Sequence, residues 1–150
     1  MRLERATLSD IPALVELLHE LFSQEVEFVP NKTLQTTALS QIIADENVGF
    51  IVVARSETVI VGMVSILFSV STALGGRVAM LEDMVVSPGA RGEKIGSRLL
   101  EQATTFAQEA GCKRITLLTD ASNRAAQRFY QRSGFEQSSM VVFRKYLTIQ

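Results

Sequence analysis

The stretch Leu81-Glu82-Asp83-Met84-Val85-Val86-Ser87-Pro88-Gly89-Ala90-Arg91-Gly92-Glu93-Lys94-Ile95-Gly96-Ser97-Arg98-Leu99-Leu100 changes its apolar period halfway. Up to Val86 the run that begins at Val78 is rich in β-branched and apolar residues and reads as a strand. Ser87-Pro88-Gly89 interrupts it. From Ile95 the apolar residues Leu99, Leu100, Ala103, Phe106, Ala107 and Ala110 recur at helical spacing, and Gly111 is placed to close that helix. A further short apolar run, Arg114 to Thr119, follows. Strand, charged glycine loop, helix and strand thus succeed one another, and such a crossover pairs its two strands in parallel.

The elements upstream are simpler. Arg2 to Ala6 is a short extended opening, and Thr7, Ser9 and Asp10 are residues that start helices. Ile11, Leu14, Val15, Leu18, Leu21 and Phe22 form one helical stripe, with Ser9 the expected N-cap and Pro12 tolerated in the first turn. Leu34, Ala38, Leu39, Ile42 and Ile43 repeat the pattern in a second helix ending near Asp45. Val48 to Ala54 and Val59 to Val70 read as strands joined by the polar turn Arg55-Ser56-Glu57-Thr58, and Gly75-Gly76 turns the chain into the strand ending at Val86. A meander of antiparallel strands is the simplest arrangement. Downstream, Asn123 to Ser133 reads as a short helix stopped at Gly134, and Val141 to Leu147 as a last strand. The expected class is α/β (α+β), a mixed sheet covered by about four helices.

Composition narrows the function classes. At 150 residues the chain is expected to be a single domain, 1–150, since ~100–200 residues is the usual domain size. Fifteen Lys+Arg against sixteen Asp+Glu leave a net charge of −1, which provides no electrostatic footprint for nucleic acid. Cys112 is the only cysteine and His19 the only histidine, so neither a disulfide framework nor a His-based metal cluster is expected. The longest apolar run, Val59 to Val70, is broken by Ser65 and Ser69 and is shorter than the ~20 residues of a membrane helix. With no targeting pattern at the N-terminus, a reduced, cytoplasmic location away from membranes is expected.

The loop from Arg91 to Ser97 carries the chemistry. Backbone N–H groups at a helix start, aided by the helix dipole, make an anion site, and glycines let the backbone approach a phosphate. Arg91, Lys94 and Arg98 add positive charge. A surface loop that merely carries glycine and basic residues would read the same way. Two familiar phosphate loops are excluded, because neither G-x-x-x-x-G-K-[ST] nor G-x-G-x-x-G occurs in the chain.

Leu81 to Pro88, followed by Arg91 to Gly96 and Leu99-Leu100, resembles the acetyl-CoA motif of the GNAT superfamily of N-acetyltransferases, whose loop reads [R/Q]-x-x-G-x-[G/A]. Asn123-Arg124-Ala125-Ala126-Gln127-Arg128-Phe129-Tyr130-Gln131-Arg132-Ser133-Gly134-Phe135 is similar to the same family's N-x-x-A-x-x-[F/L]-Y-x-x-x-G-F segment. The two stand in the family's order, and the element order fits along essentially the whole chain. Lys94 departs from the pattern by standing where the first glycine is usual; a left-handed backbone there costs a non-glycine residue roughly 1–2 kcal/mol.

The resemblance implies a sheet of about seven strands with a splayed central pair holding acetyl-CoA. It implies that Met84, Val85 and Val86 offer main-chain groups to the pantetheine arm, with an amide near Val85 polarising the thioester carbonyl. Arg91, Gly92, Glu93, Lys94, Ile95, Gly96 and Ser97 would cradle the pyrophosphate, and Asn123 would contact the cofactor arm or cap its helix. Tyr130 matches the family's usual acid for the departing thiolate, and Glu82 matches the glutamate that acts as base, often through water, with Asp83 the lesser candidate. Strand alternation sends Glu82 and Asp83 to opposite faces. No Cys or Ser stands beside a His base, so direct transfer without a covalent enzyme intermediate is expected.

The acceptor expected on this pattern is a primary amine of a small cationic molecule, favoured by Glu25, Glu27, Glu82 and Asp83. Glu25 to Thr37 and Ser71 to Arg77 would frame its entrance, with Phe28 and Phe68 as walls. The alternatives are a non-catalytic acetyl-CoA-binding regulatory module and a protein acetyltransferase acting on lysine or an N-terminal amine. A homodimer through the final strands is common in the family and is left open. His19 and Cys112 read as structural and inert.

Overall fold

The computed structural model describes residues 1–24, 31–90, 92 and 94–148. The chain divides into two compact units, Met1–Leu118 and Thr119–Gln150. The first contains β1 (Arg2–Arg5), α1 (Ile11–Gln24), α2 (Lys32–Ala44), β2 (Gly49–Ser56), β3 (Val59–Ser71), β4 (Gly76–Val86), α3 (Ile95–Glu109) and β5 (Ile115–Leu117). The second contains α4 (Arg124–Arg132).

The five strands lie in sequence order β1-β2-β3-β4-β5. The first four pair antiparallel, β2, β3 and β4 through short turns and β1 with β2 across α1 and α2, and β4 pairs with β5 in parallel across α3. Phe50, Ile51, Val52, Val53 and Ala54 of β2 are all buried, which explains a continuous apolar run in place of alternation. On one face Leu14, Leu18 and Leu39 of α1 and α2 cluster with Ile51, Val53, Met63 and Val85. On the other face Phe106 of α3 meets Phe50 edge-on at 5.9 Å. There a Cβ at Gly62 would lie 2.8 Å from Leu99 Cδ1, so the glycine allows α3 to approach β3 closely.

Two sequence expectations are corrected. Ser9 is not the cap of the first helix: a turn of 3-10 helix at Leu8–Asp10 precedes α1, and its cap is Thr7, whose N–H donates to Asp10 Oδ2 at 2.9 Å. Asp10 also accepts from Arg55 Nη2 at 3.1 Å, a long-range contact that ties this local pairing to β2. The second correction concerns the strand count. Five strands are formed among the described residues in place of about seven, and Val141 to Leu147 forms none. Alternating residues favour an extended chain, but a strand also needs a neighbour to complete its ladder of hydrogen bonds. The described ladders end at β5.

Candidate active site

The loop between β4 and α3 has a left-handed backbone at Gly92 and Lys94. Lys94 is left-handed, at φ 60° and ψ 22°, and stands at the N-cap of α3 without a side-chain cap bond. Gly92 has φ 95°. The first intrahelical bond runs from Arg98 N–H to the Lys94 carbonyl at 3.1 Å. The N–H groups of Ile95, Gly96 and Ser97 therefore precede it and point out of the helix end, the arrangement that receives an anion. Ile95 is buried and anchors this turn, whereas Gly92, Lys94, Ser97 and Arg98 are exposed. Arg91 and Glu93 lie outside the described residues.

Upstream, the ladder between β4 and β5 closes at Leu81 opposite Leu117, while β4 runs on to Val86. Met84, Val85 and Val86 thus lie past the point where the parallel pairing stops, although β3 still pairs with them through Val64, Met63 and Gly62. The antiparallel ladder carries its own irregularity here. Leu81 faces Ile66 and Met84 faces Val64, leaving Glu82 and Asp83 opposite the single residue Ser65. This is a β-bulge, which re-aims side chains and breaks the two-residue alternation that the sequence leads one to expect.

Asp83 is the carboxylate the bulge turns inward. It is half-buried and accepts a hydrogen bond from Ser65 Oγ at 3.2 Å. Ser65 itself is fully buried. Burial pushes the Asp83 carboxyl above the usual carboxylate range, and the Ser65 hydroxyl only partly offsets this. Asp83 lines a pocket of about 230 Å³ with Leu18, Phe22, Leu34, Leu39 and Ile42. Glu82 is exposed. The signal for the Ser65–Asp83 pair was the serine that interrupts the apolar run of β3; its meaning depends on a bulge that no residue pattern announces.

In the second unit, Asn123 caps α4 by accepting from Ala126 N–H at 3.1 Å. Tyr130 is half-buried, with its ring 5.1 Å from that of Phe129 and 5.8 Å from that of Phe135. Gly134, at φ 95°, ends the helix, and Phe135 N–H returns to the Tyr130 carbonyl at 3.0 Å. The spacing between Tyr130 and Phe135 thus has a local reason.

The remaining candidates sort simply. Phe68 packs against Phe50 and carries the Arg77 guanidinium 4.4 Å above its ring, so it serves the sheet. Glu25, Glu27 and Phe28 lie outside the described residues. His19 is exposed on α1. Burial raises the Cys112 thiol, with Arg77 opposing, which disfavours a reactive thiolate. Among the described residues there is no cluster of metal-ligating side chains and no helix long and apolar enough to cross a membrane.

Comparison with known proteins places this geometry in a family. An aminoalkylphosphonate N-acetyltransferase of Salmonella typhimurium is 32% identical over 136 residues, covering 91% of this chain and 85% of that protein. A possible acetyltransferase from Clostridium difficile shares the fold with a TM-score of 0.88 at 14% identity, covering 99% and 98% of the two chains. The aminoglycoside N-acetyltransferase AAC(6′)-Iy, solved in complex with CoA, superposes with a TM-score of 0.82 at 16% identity, covering 97% and 93%. The model of the acetyltransferase (GNAT) family matches residues 11–135, so the bulged strand, the left-handed loop and the Asn123–Phe135 segment fall within one match, and the chain belongs to that family of acetyltransferases.

Proposed function

We propose that this enzyme moves the acetyl group of acetyl-CoA directly to a primary amine of a small cationic molecule. The observation that carries the reading is the start of α3, where left-handed Gly92 and Lys94 open three successive N–H groups toward an anion. Those groups suit the pyrophosphate of acetyl-CoA, with Lys94 and Arg98 adding charge and Arg91 and Glu93 completing the loop. Met84, Val85 and Val86 supply main-chain groups to the pantetheine arm, and the amide near Val85 polarises the thioester carbonyl.

Attack requires the neutral amine, whereas a free alkylamine has a pKa of ~10.4. Glu82, exposed beside the bulge, takes the proton through water. The amine nitrogen then bonds to the thioester carbon, the C–S bond breaks, and the Tyr130 hydroxyl gives its proton to the departing thiolate. Tyr130 is re-protonated from the nitrogen as the amide forms. Asn123 and Tyr130 belong to the second compact unit, and we assign both units to one catalytic domain because the family match runs through them from 11 to 135. Relatives named for aminoalkylphosphonate and aminoglycoside acetylation support a small amine acceptor. A cytoplasmic location accords with a lone free cysteine, Cys112.

A thermal melt tests the cofactor. Acetyl-CoA at ~100 times its dissociation constant adds about 2.7 kcal/mol, or about 5–10 °C for a chain of this size. Adenosine nucleotides without the pantetheine arm should shift the melt less. Tyr130→Phe should keep the acetyl-CoA shift and lose about 10²-fold or more in kcat. An acetyl-CoA shift without turnover of any amine would favour the regulatory binding module, and turnover confined to lysine-containing peptides would favour a protein acetyltransferase. No shift at millimolar acetyl-CoA would refute the proposal.

A further inference from the structure

The pocket beside the bulge combines features that together describe a ligand. Leu18 and Phe22 of α1 and Leu34, Leu39 and Ile42 of α2 make its wall mainly apolar, Gln35 adds an amide, and Asp83 of β4 places a carboxylate in that wall. The hydroxyl of Ser65 is a neutral partner, and among the described residues Asp83 enters no ion pair. A carboxylate held against apolar surface is destabilised unless a cation joins it. Leu34 adds a second, independent sign: it is 64% exposed, on an outer turn of α2 and at the rim of the same pocket. An apolar side chain there gains little from the fold and much from an apolar ligand.

We propose that this pocket is the acceptor site and that the acceptor is a primary monoamine with a short apolar chain. Its ammonium pairs with Asp83, and its hydrocarbon lies against Leu18, Phe22, Leu34, Leu39 and Ile42. The inference rests on the acetyltransferase reading above and narrows its substrate class. Three other amine classes fit less well. Among the described residues no lysine or arginine lines the pocket, so a phosphonate or sugar phosphate finds no counter-charge there and is repelled by Asp83. A polyamine would carry further ammonium groups against a wall whose one carboxylate, among the described residues, is Asp83. An aminoglycoside would leave most of its rings outside, since pockets that enclose drug-sized ligands span ~300–1,000 Å³ and this one offers about 230 Å³. Asp83 recognises the ammonium, and release of its proton is the task assigned to Glu82.

The test is acetylation of propylamine, butylamine, pentylamine and hexylamine, followed by thiol release, beside 2-aminoethylphosphonate and spermidine. Each added methylene should lower KM about three- to fourfold. Asp83→Asn should lower kcat/KM for hexylamine by about 30-fold or more while leaving the acetyl-CoA melting shift intact. Leu34→Arg, at an exposed position that folding tolerates, should weaken hexylamine and improve 2-aminoethylphosphonate. A higher kcat/KM for the phosphonate or for spermidine in the unaltered enzyme would overturn the inference. So would a hexylamine rate that Asp83→Asn changes less than threefold. If acetyl-CoA shifts the melt and no amine turns over, calorimetry with hexylamine decides: binding abolished by Asp83→Asn supports the assignment, and no binding overturns it. An absent acetyl-CoA shift overturns the acetyltransferase reading instead, and the acceptor assignment with it; hexylamine calorimetry would then show whether the pocket had at least been read correctly.

Discussion

Replacing Lys94 by glycine should raise the stability of the protein and weaken its hold on acetyl-CoA. Lys94 sits at φ 60° and ψ 22°, where the Cβ of an L-residue crowds its own backbone. That conformation costs a non-glycine residue roughly 1–2 kcal/mol. Glycine removes the crowding but adds freedom to the unfolded chain, which takes back about 0.4–1 kcal/mol. The net gain is roughly 0.5–1 kcal/mol, or about 1–4 °C in Tm for 150 residues. Lys94 is exposed and makes no cap bond, so its side chain offers the free protein little to offset the strain. Lys94→Ala is the control: it removes the ammonium and keeps the Cβ, so its Tm should stay near that of the parent.

Denaturant melts without ligand would rank glycine above alanine and lysine. Calorimetry with acetyl-CoA would rank lysine above both variants, because they lack the charge proposed to face the pyrophosphate. Equal stability of the glycine and alanine variants would refute the strain argument. Unchanged affinity in both would refute the role given to the ammonium. A strained residue at the helix end is therefore read as a stability loss accepted for a charge at the phosphate.

Other substitutions probe the remaining parts. Asp10→Ala removes the carboxylate that accepts from Thr7 N–H and Arg55, and should cost roughly 2 kcal/mol, or about 4–8 °C in a melt. Burial opposes ionisation of Asp10, but the Thr7 N–H and the Arg55 guanidinium outweigh it and hold the carboxyl below its usual range. The stabilisation is therefore present above about pH 4 and lost as pH falls through the folded value, so the parent and Asp10→Ala should converge in acid melts. Asp83→Asn should behave oppositely, because burial raises the Asp83 carboxyl. Its protonated form suits the fold, so the parent loses stability as pH rises through the raised value, and the variant should melt about 2–4 °C higher at pH 7 with no advantage below pH 4. A stabilised variant that has lost activity would mark Asp83 as a residue kept for function. Gly49→Ala should be severe: its Cβ would lie 2.0 Å from the Ile66 carbonyl oxygen across the ladder, and the expected loss is about 3 kcal/mol or more, read as a lowered denaturant midpoint.

The amino-acid sequence by itself determined the order of elements, the antiparallel meander and the parallel crossover through α3, because each follows from local periodicity and from turn lengths. It also located the glycine loop before α3 and the Asn123–Phe135 segment, whose caps and stops are short-range: Asn123 to Ala126, and Tyr130 to Phe135 around Gly134. The sequence marked Lys94 as a departure from the family's loop, and the structure showed its backbone to be left-handed. Tertiary structure decided what depends on partners distant in the chain. Asp10, which pairs locally with Thr7, is also held by Arg55 of β2, forty-five residues away. Val141 to Leu147 alternates like a strand, yet a strand exists only where another completes its hydrogen bonds. The different settings of Glu82 and Asp83 are of the same kind. Both are acidic residues on one strand, and the bulge opposite Ser65 makes one an exposed carboxylate and the other a half-buried one facing an apolar pocket.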